Sequence, residues 1–312
     1  MQRIPIRFLQ FLAVAYAVLF ASVAGANSAA PQRKIECGQD AELRLSSPGS
    51  SQGSLLLVEL RSAKSLKEIK AEWAGKEVPF WRAEAGADAG PSVYRALLGV
   101  DLEQAAGKYD LALAADTQSD EKVSCSAAVI VRAGHFATES LRVEKQFVEP
   151  SPEQLQRAQA EQKRLREIFG RVTPERMWQG KFRVPLDGVT TGKNFGKRRI
   201  LNGQPGSPHG GLDLPAATGT PVHAAQSGRV VLAEELYFSG NTVLVDHGLG
   251  IYTLYGHLSE ISVKVGDEVG LGALLGKVGA TGRVTGPHLH WGLTIDKARV
   301  NPLQIVNLPG IE

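Results

Sequence analysis

The chain has 312 residues, enough for about two domains of roughly 150 residues each, and carries 35 Lys and Arg against 32 Asp and Glu. A composition of 43% hydrophobic and 21% charged residues argues against a largely disordered chain, a collagen-like chain and a polytopic membrane protein. Two cysteines are too few for a disulfide-rich miniprotein, an all-cysteine zinc site or an iron–sulfur cluster.

Residues 1–26 have the pattern of an export signal. Arg3 and Arg7 form a positive n-region, an apolar stretch follows, and the sequence AGA at 24–26 is a small-x-small cleavage site. The alternative is an uncleaved membrane anchor, since 8–26 is almost long enough to span a bilayer. Cleavage would leave 33 basic against 32 acidic residues, so the net charge would fall from +3 to +1. Because no basic run then remains to neutralise phosphates, we expect no nucleic-acid partner.

We expect residues 27–135 to form an Ig-like β-sandwich. Short apolar runs and alternating patterns are separated there by Gly- and Ser-rich turns. The strand-like segments are 55–58, 69–73, 93–100, 109–113 and 129–131. Export would place Cys37 and Cys125 in an oxidising compartment. This favours one structural disulfide joining the first and last strands over a redox pair, which would have C-x-x-C spacing.

Residues 136–180 are predicted to be a linker that contains one helix, at 152–169. Ser151 is a suitable N-cap, proline occupies the first helical position, and Gln154 completes a capping box. The apolar stripe of this helix consists of Leu155, Ala158, Leu165 and Phe169. A single narrow stripe indicates a connector packed on a domain surface. A coiled coil is disfavoured because Gln162 interrupts the stripe.

A second β domain is expected at 181–312, where glycine and valine are dense and long helical patterns are lacking. The predicted strands are 230–233, 242–245, 251–255, 263–265 and 288–295. Gly-rich turns separate these segments. The C-terminal part of the chain is therefore predicted to be mainly β, like the part before the linker.

Six of the seven histidines lie between His209 and His290, inside this second β domain. His288 and His290 are two apart on a predicted strand, so both side chains can enter one site. Asp213 follows His209 by four residues in a Gly- and Pro-rich loop, which favours a loop that runs into a strand over a helix. Two imidazoles and one carboxylate are a donor set of catalytic zinc, with a fourth position for water. Each pattern alone also occurs by accident, so their combination carries the prediction.

Beyond these patterns, residues 182–302 resemble the lysostaphin-type (β-lytic) zinc metalloendopeptidases, which cut peptide bonds in peptidoglycan. The resemblance covers well over a third of the chain and depends on several motifs that occur in the family's order. The motifs are SPHGGLD at 207–213, GTPV at 219–222, GRVV at 228–231, VDHG at 245–248, LYGHL at 254–258, VGD at 265–267, GATG at 279–282 and TGPHLH at 285–290.

The resemblance implies an antiparallel β peptidase domain with one zinc ion. It implies that His209, Asp213 and His290 are the zinc ligands and that His257 and His288 take part in catalysis. None of these positions departs from the family pattern. We expect His288 to be the base and His257 to orient groups or stabilise the oxyanion, although the sequence alone does not divide these roles.

The other histidines receive structural interpretations: His247 belongs to a turn signature, His223 to a strand edge and His135 to the solvated surface. The Gly-rich segment 279–286 lacks the Lys-Ser/Thr ending of a phosphate-binding loop, so we expect it to form a wall of the groove. Each of these interpretations predicts a position outside the set of zinc ligands.

Two hypotheses concern residues that could meet the substrate. Tyr237, Tyr252 and Tyr255 could line a peptide cleft or pack in the core, and the sequence leaves both open. Arg199 and Asn202, upstream of the first predicted ligand, could contact substrate.

The function expected from these features is that of an exported zinc metalloendopeptidase of the periplasm or cell envelope, which cleaves peptide cross-links or stem peptides of peptidoglycan. The N-terminal region would position the enzyme or cover its groove, as in relatives with an occluding segment. One alternative is a non-catalytic cell-wall-binding regulator of other hydrolases, and another is a zinc hydrolase of a different exported substrate. Membrane contact is expected only through an uncleaved signal, and the sequence indicates no oligomeric state.

Overall fold

A computed structural model describes residues 33–47, 49–83, 90–188 and 194–311. The predicted export signal at 1–26 lies outside these ranges. Most regular structure within them is β-strand, so the prediction of a mainly β protein is confirmed. Of the helices described, none has both the length and the apolar character needed to cross a bilayer.

The first part of the described chain, 33–132, is built from strands only. In chain order these are β1 (Arg33–Glu36), β2 (Ala41–Leu45), β3 (Gly49–Ser51), β4 (Leu55–Ser62), β5 (Leu66–Trp73), β6 (Lys76–Glu77), β7 (Trp81–Arg82), β8 (Ser92–Gly99), β9 (Gly107–Thr117) and β10 (Lys122–Arg132). One sheet has the order β1-β2-β4-β8-β7 and a second has the order β3-β10-β9-β5-β6.

These two sheets form a sandwich because each presents an apolar face to the other. Leu43 and Leu45 of β2 are buried, as are Leu111 and Leu113 of β9, since side chains two apart on a strand share a face. All four belong to one buried cluster, which lies between the sheets. We refer to 33–132 as the sandwich.

A disulfide joins Cys37, directly after β1, to Cys125 in β10. The two cysteines are 88 residues apart in sequence, and Cys37 is buried in the sandwich core. The bond therefore links the edge strand of one sheet to the opposite sheet. In the chain-entropy model a cross-link that closes so long a loop stabilises the fold by about 4–5 kcal/mol.

Between the sandwich and the last sheet the chain forms a helix and a small sheet. The elements are β11 (Thr138–Leu141), a 3-10 turn (Lys145–Phe147), α1 (Pro152–Phe169), β12 (Arg198–Leu201) and β13 (Gln204–Pro205). β11 pairs with β12 in parallel, and β12 pairs with β13 in the antiparallel sense. The sequence did not indicate this small sheet, because β11 and β12 flank α1 and meet only in the tertiary fold.

α1 begins at a capping box and packs on the last sheet through its C-terminal turns. The Ser151 hydroxyl accepts a hydrogen bond from the backbone of Gln154, and the Gln154 side chain accepts one from the backbone of Ser151. Ile168 is buried against the sheet. The predicted stripe is wrong at Leu155, which is 46% exposed, whereas Ala158 of the same stripe is buried.

The last part of the chain forms one large antiparallel sheet, which we call the C-terminal sheet. Its described strands are β14 (Gly211–Pro215), β15 (Pro221–His223), β16 (Gly228–Leu236), β17 (Gly240–Asp246), β18 (Ile251–Ile261), β19 (Glu268–Val269), β20 (Leu274–Val278), β21 (His288–Ile295) and β22 (Ala298–Val300), and α2 (Pro302–Val306) follows them. The main order is β14-β21-β18-β17-β16-β19, with β20 paired to β15 and β18, and β22 paired to β21.

The predicted strand at 263–265 is wrong, because these residues lead into a turn after β18. The backbone N–H of Lys264 donates to the carboxylate of Asp267 at 3.0 Å, and Gly266 has a φ of 96°. Val265 is 61% exposed. The turn-forming pair Gly266-Asp267 therefore decides the local structure over an apolar run of only three residues.

The sandwich and the C-terminal sheet contribute to one buried core. Leu55, Trp81 and Leu97 of the sandwich belong to the same buried cluster as Trp178 and Phe182, which precede the C-terminal sheet. The rings of Trp81 and Trp178 meet edge to face with centroids 5.4 Å apart. The C-terminal sheet is therefore packed against the rest of the described chain through large apolar side chains.

Candidate metal centre

Three adjacent strands and one loop bring together the five residues that the sequence predicted for the site. Asp213 lies in β14, His288 and His290 lie in β21, and His257 lies in β18 on the other side of β21. In the register of β14 and β21, Asp213 is directly opposite His290. His209 lies two residues before β14 begins.

Three donor atoms form a compact triangle at the centre of this group. His209 Nε2, Asp213 Oδ1 and His290 Nδ1 are each 2.9 Å from the other two. This spacing is short enough for one ion bonded at about 2.0–2.2 Å to each donor. The three residues are thus a group that could hold a metal ion, with a further coordination position open to water or substrate.

Asn194 and Arg199 fix the orientation of two of these side chains. His209 Nδ1 faces the carbonyl oxygen of Asn194 at 3.1 Å. Because a carbonyl only accepts, Nδ1 is the protonated nitrogen and Nε2 keeps its lone pair for the centre. Asp213 Oδ2 accepts hydrogen bonds from the Asn194 amide at 3.0 Å and from Arg199 at 2.9 Å. These contacts leave Oδ1 for the centre.

Asn194 is not among the residues predicted for the site, and Arg199 is predicted only as a residue that could contact substrate. Neither residue lies in a motif with His209 or Asp213, and Asn194 precedes His209 by 15 residues. No local spacing rule could have placed them at the site. Arg199 lies in β12 and Asn194 precedes that strand, and only the tertiary fold brings both residues to the ligands.

Gly211 allows His290 to approach β14 closely. A Cβ atom at this position would lie 2.9 Å from His290 Nε2 and 2.6 Å from the carbonyl oxygen of Trp291. Any side chain would therefore displace the imidazole or the strand. Gly211, two residues after His209, thus has a steric role at the site.

His257 and His288 form a second pair beside the triangle, with ring centroids 4.8 Å apart. Nδ1 of His288 faces the carbonyl of Gly286 at 2.8 Å, and Nδ1 of His257 faces the carbonyl of Thr281 at 2.8 Å. Both Nδ1 atoms therefore carry the proton, which leaves Nε2 as the basic nitrogen of each ring. His288 Nε2 lies 3.5 Å from Asp213 Oδ1.

The protonation of the site follows from burial and close charges. Burial lowers the pKa of His209 to about 4 and, with the charges of His290 and His288, lowers the pKa of His257 to about 3. Burial would raise the pKa of Asp213, but its close contacts with His209, His288 and His290 hold it well below its usual range. Burial opposes protonation of His288, but its contact with Asp213 raises its pKa. His209 is therefore a neutral imidazole and Asp213 an ionised carboxylate, the states that metal ligands require.

A cavity of about 490 Å³ opens beside this group. It is lined by Glu139, Leu141, Val143, Asn194, Lys197, Arg199, Leu201, Asp213, Pro215, His257, Arg283, Val284, Thr285, Gly286, Pro287 and His288. The predicted groove wall at 279–286 supplies part of this lining. β11 and the residues after it also line the cavity, through Glu139, Leu141 and Val143, which the sequence did not indicate.

The three tyrosines pack rather than line the cavity. Their hydroxyls bond to backbone atoms of Gln146 (Tyr237), Arg171 (Tyr252) and Ala225 (Tyr255). The side chain of Asn202, which was predicted as a residue that could contact substrate, instead bonds to the backbone of Val143. Its amide group donates to the Val143 carbonyl and accepts from the Val143 N–H.

The remaining histidines lie outside the triangle. His247 is fully buried and bonds to the Ser227 carbonyl and the Thr253 hydroxyl, both at 2.7 Å. His223 lies in β15, and His135 is exposed. Their positions agree with the structural interpretations that the sequence suggested.

Comparisons with known proteins assign this region to a family. Residues 207–302 match the model of peptidase family M23. A stretch of 103 residues, 33% of the chain, is 43% identical to 24% of the peptidoglycan DD-endopeptidase ShyA of Vibrio cholerae. A stretch of 97 residues, 31% of the chain, is 42% identical to 22% of the DD-carboxypeptidase/endopeptidase Mpg of Neisseria meningitidis. The matched stretch thus covers about a quarter of the length of these relatives.

The fold similarity extends further than the family match. A solved structure of a peptidase M23 from Pseudomonas aeruginosa covers 82% of this chain and 94% of its own, with a TM-score of 0.61 and 28% identity. This coverage includes residues before position 207. The lysostaphin-type motifs, the geometry of the histidine and aspartate side chains and the family match agree, and residues 207–302 are a domain of peptidase family M23.

Proposed function

We propose that the protein is an exported zinc metalloendopeptidase that cleaves peptide bonds in the cross-links or stem peptides of peptidoglycan. The relatives named above support the substrate class, because both are named for peptidase activity on DD bonds and one is named for peptidoglycan. Action on that polymer would require the cell envelope or periplasm, in agreement with the export signal predicted at 1–26.

The triangle of His209 Nε2, Asp213 Oδ1 and His290 Nδ1 is the observation that carries this proposal. Two neutral imidazoles and one carboxylate are the donor set of catalytic zinc sites, in which a fourth position remains open. Asn194 and Arg199 hold the ligands from behind, as the outer partners of metal ligands commonly do. The residues present therefore fit a zinc ion.

When bound, zinc polarises the scissile carbonyl and lowers the pKa of a bound water. His288 is placed to accept a proton, since its Nδ1–H is held by the Gly286 carbonyl and its basic Nε2 faces the donor group. His257 is held in the same way by Thr281 and would orient the substrate or stabilise charge on its oxygen. Two imidazoles on one side of the site can thus share proton transfer.

The direct test is digestion of intact sacculi by the purified mature protein, with zinc present and after treatment with a chelator. We expect zinc-dependent release of muropeptides, and mass spectrometry of the new termini identifies the bond. A protein that binds one zinc ion but leaves sacculi intact would instead support the non-catalytic alternative.

We further propose that residues 138–147, which we call the cover segment, restrict access to the cavity. Glu139, Leu141 and Val143 of this segment line the cavity. The segment is fastened at several points: by pairing of β11 with β12, by the ion pair of Glu139 with Lys197 at 2.8 Å, by Asn202 at Val143 and by Tyr237 at Gln146. A segment held in place by these contacts would keep substrate out of the cavity. These contacts therefore support latency of the enzyme.

Loosening the cover segment tests this part of the proposal without removing any domain. The combined substitution Asn202→Ala and Tyr237→Phe removes two fasteners that lie away from the ligands. We expect faster digestion of sacculi with unchanged zinc content. Truncation before residue 181 is a poorer test, because it removes Trp178 from the buried core. Equal rates for the double variant and the parent chain would exclude restriction by these contacts.

A further inference from the structure

Arg283 is a cation in the cavity whose charge no acidic side chain balances among the described residues. It lines the cavity together with Asp213, His257 and His288. Its guanidinium carbon lies 4.5 Å from the ring centroid of Phe238. Stacking on an aromatic ring occupies the flat face of a guanidinium and leaves the N–H groups at its edge for another partner.

The other charged side chains of the cavity wall are paired. Arg199 bonds to Asp213 at 2.9 Å, and Lys197 bonds to Glu139 at 2.8 Å. Arg283 is therefore the surplus charge in a wall that has three cationic and two anionic side chains. Burial and the charge of Arg199 both lower the pKa of Arg283, so an anion at this place would relieve an unfavourable environment.

The backbone fixes the position of Arg283. Its N–H donates to the carbonyl of Phe238 at 2.8 Å. Gly282 has a φ of 72°, and a Cβ there would lie 2.3 Å from the backbone nitrogen of Gly240. This close approach attaches the loop to the turn between β16 and β17. The guanidinium is therefore held in place rather than carried on a free loop.

We propose that Arg283 binds a carboxylate of the peptide substrate beside the bond to be cleaved. This inference depends on the proposed peptidase function and adds a specificity determinant to the same site. A guanidinium can bind a carboxylate through two parallel hydrogen bonds, which provides geometric selection as well as attraction. Two sources are possible in peptidoglycan peptides: the carboxylate at the C-terminus and a free carboxylate on the residue next to the cleaved bond.

The test compares the full-length zinc protein with Arg283→Gln and Arg283→Lys on three synthetic D,D-linked peptides. One peptide has both carboxylates free, one is amidated at the C-terminus, and one is amidated beside the cleaved bond. We expect Arg283→Gln to reduce kcat/KM about 10- to 100-fold on the free peptide, mainly through KM, because a charge-assisted hydrogen bond is lost. Arg283→Lys should have an intermediate kcat/KM, since lysine keeps the positive charge but cannot form two parallel hydrogen bonds to a carboxylate.

The amidated peptides identify which carboxylate is bound. Amidation of the recognised group should weaken cleavage by the parent chain and abolish the difference between it and Arg283→Gln. Amidation of the other group should leave that difference intact. Arg229→Gln is the matched control, because Arg229 pairs with Glu268 in the same sheet and does not line the cavity. An equal loss on all three peptides, or no loss at all, would overturn the proposal.

Equilibrium binding separates this proposal from the proposed function. Calorimetric titration of the free peptide into the parent chain and into Arg283→Gln requires no turnover. If neither protein cleaves the peptide but only the parent binds it, the carboxylate site stands and the peptidase proposal fails. If both proteins bind it equally, the carboxylate site fails whatever the outcome for catalysis.

Discussion

The sandwich and the C-terminal sheet are both antiparallel-rich β structures, but they bury different polar groups. Within the described residues, the buried polar side chains on the strands of the sandwich are the hydroxyls of Ser62 and Thr117. The C-terminal sheet also buries a carboxylate, Asp246, and the imidazole of His257. Burying such groups is costly unless each one has a partner. The C-terminal sheet therefore adds a buried polar network to its apolar core, whereas the sandwich depends on apolar packing and one disulfide.

This contrast predicts that changes in the C-terminal sheet will alter chemistry, whereas changes in the sandwich will alter stability. The largest effect is expected at the centre of the triangle. His209→Ala removes one of three donors, so both zinc binding and digestion of sacculi should fall below detection. Metal content by atomic absorption and muropeptide release are measured on the same sample.

His288→Ala is the matched partner of that variant, because His288 lies beside the triangle without belonging to it. It should keep zinc but lose about 100- to 10,000-fold in rate, the usual contribution of a positioned general base. Normal turnover by purified His288→Ala would contradict the assigned role.

In the sandwich, the corresponding test is removal of the disulfide. The double substitution Cys37→Ser and Cys125→Ser should lower the free energy of unfolding by about 4–5 kcal/mol, since the unfolded chain regains the entropy of a long loop. Zinc content per folded molecule should stay unchanged, because the bond lies outside the site. Denaturant unfolding followed by tryptophan fluorescence measures the first quantity. Loss of zinc from the folded double variant would show that the two regions are not separable in this way.

The sequence predicted much of this contrast because its strongest signals are local. That His288 and His290 share one face of a strand follows from strand geometry alone. The capping box follows from the spacing of three residues between Ser151 and Gln154. Recognition of the ordered motifs then identified the family. Each of these features can be derived from residues that are close in the chain.

The outer partners of the metal ligands and the lining of the cavity could not be predicted, because they depend on contacts between segments that are distant in the chain. Asn194 contacts His209 although β12 and β13 lie between them in the chain, and β11 pairs with β12 although α1 separates them. Nothing in the sequence of residues 138–147 indicates that this segment lines the cavity together with Arg283. The error at 263–265 has a different cause, since three apolar residues do not distinguish a strand from the approach to a turn.

A smaller effect is expected from the buried imidazole of His247, which tests whether polar burial has a measurable cost. Burial lowers the pKa of His247 from 6.5 to about 4. Between those pH values the unfolded chain binds a proton that the folded chain does not, so stability is fully present above about pH 6.5 and decreases as the pH falls toward 4. The contribution is about 3 kcal/mol at most.

His247→Gln should therefore make the free energy of unfolding less dependent on pH in this range, whatever its effect at neutral pH. Substitution of the exposed His135 by Gln is the control and should leave the slope unchanged. Thermal unfolding at a series of pH values measures both slopes. Parallel curves for His247→Gln and the parent chain would mean that this imidazole does not contribute to acid sensitivity.

The smallest effect on the metal ligands is expected from Arg199, which bonds to one of them, Asp213. Loss of an outer partner of a metal ligand commonly reduces metal affinity about 10- to 100-fold. Arg199→Gln should weaken zinc binding to this extent in competition with a chelator, while Asn194 still holds the same carboxylate oxygen. Arg198→Gln is the control, because Arg198 is exposed on the same strand. If both variants bind zinc as the parent does, the ion pair of Arg199 with Asp213 is not part of the metal site, and Asn194 alone orients Oδ1.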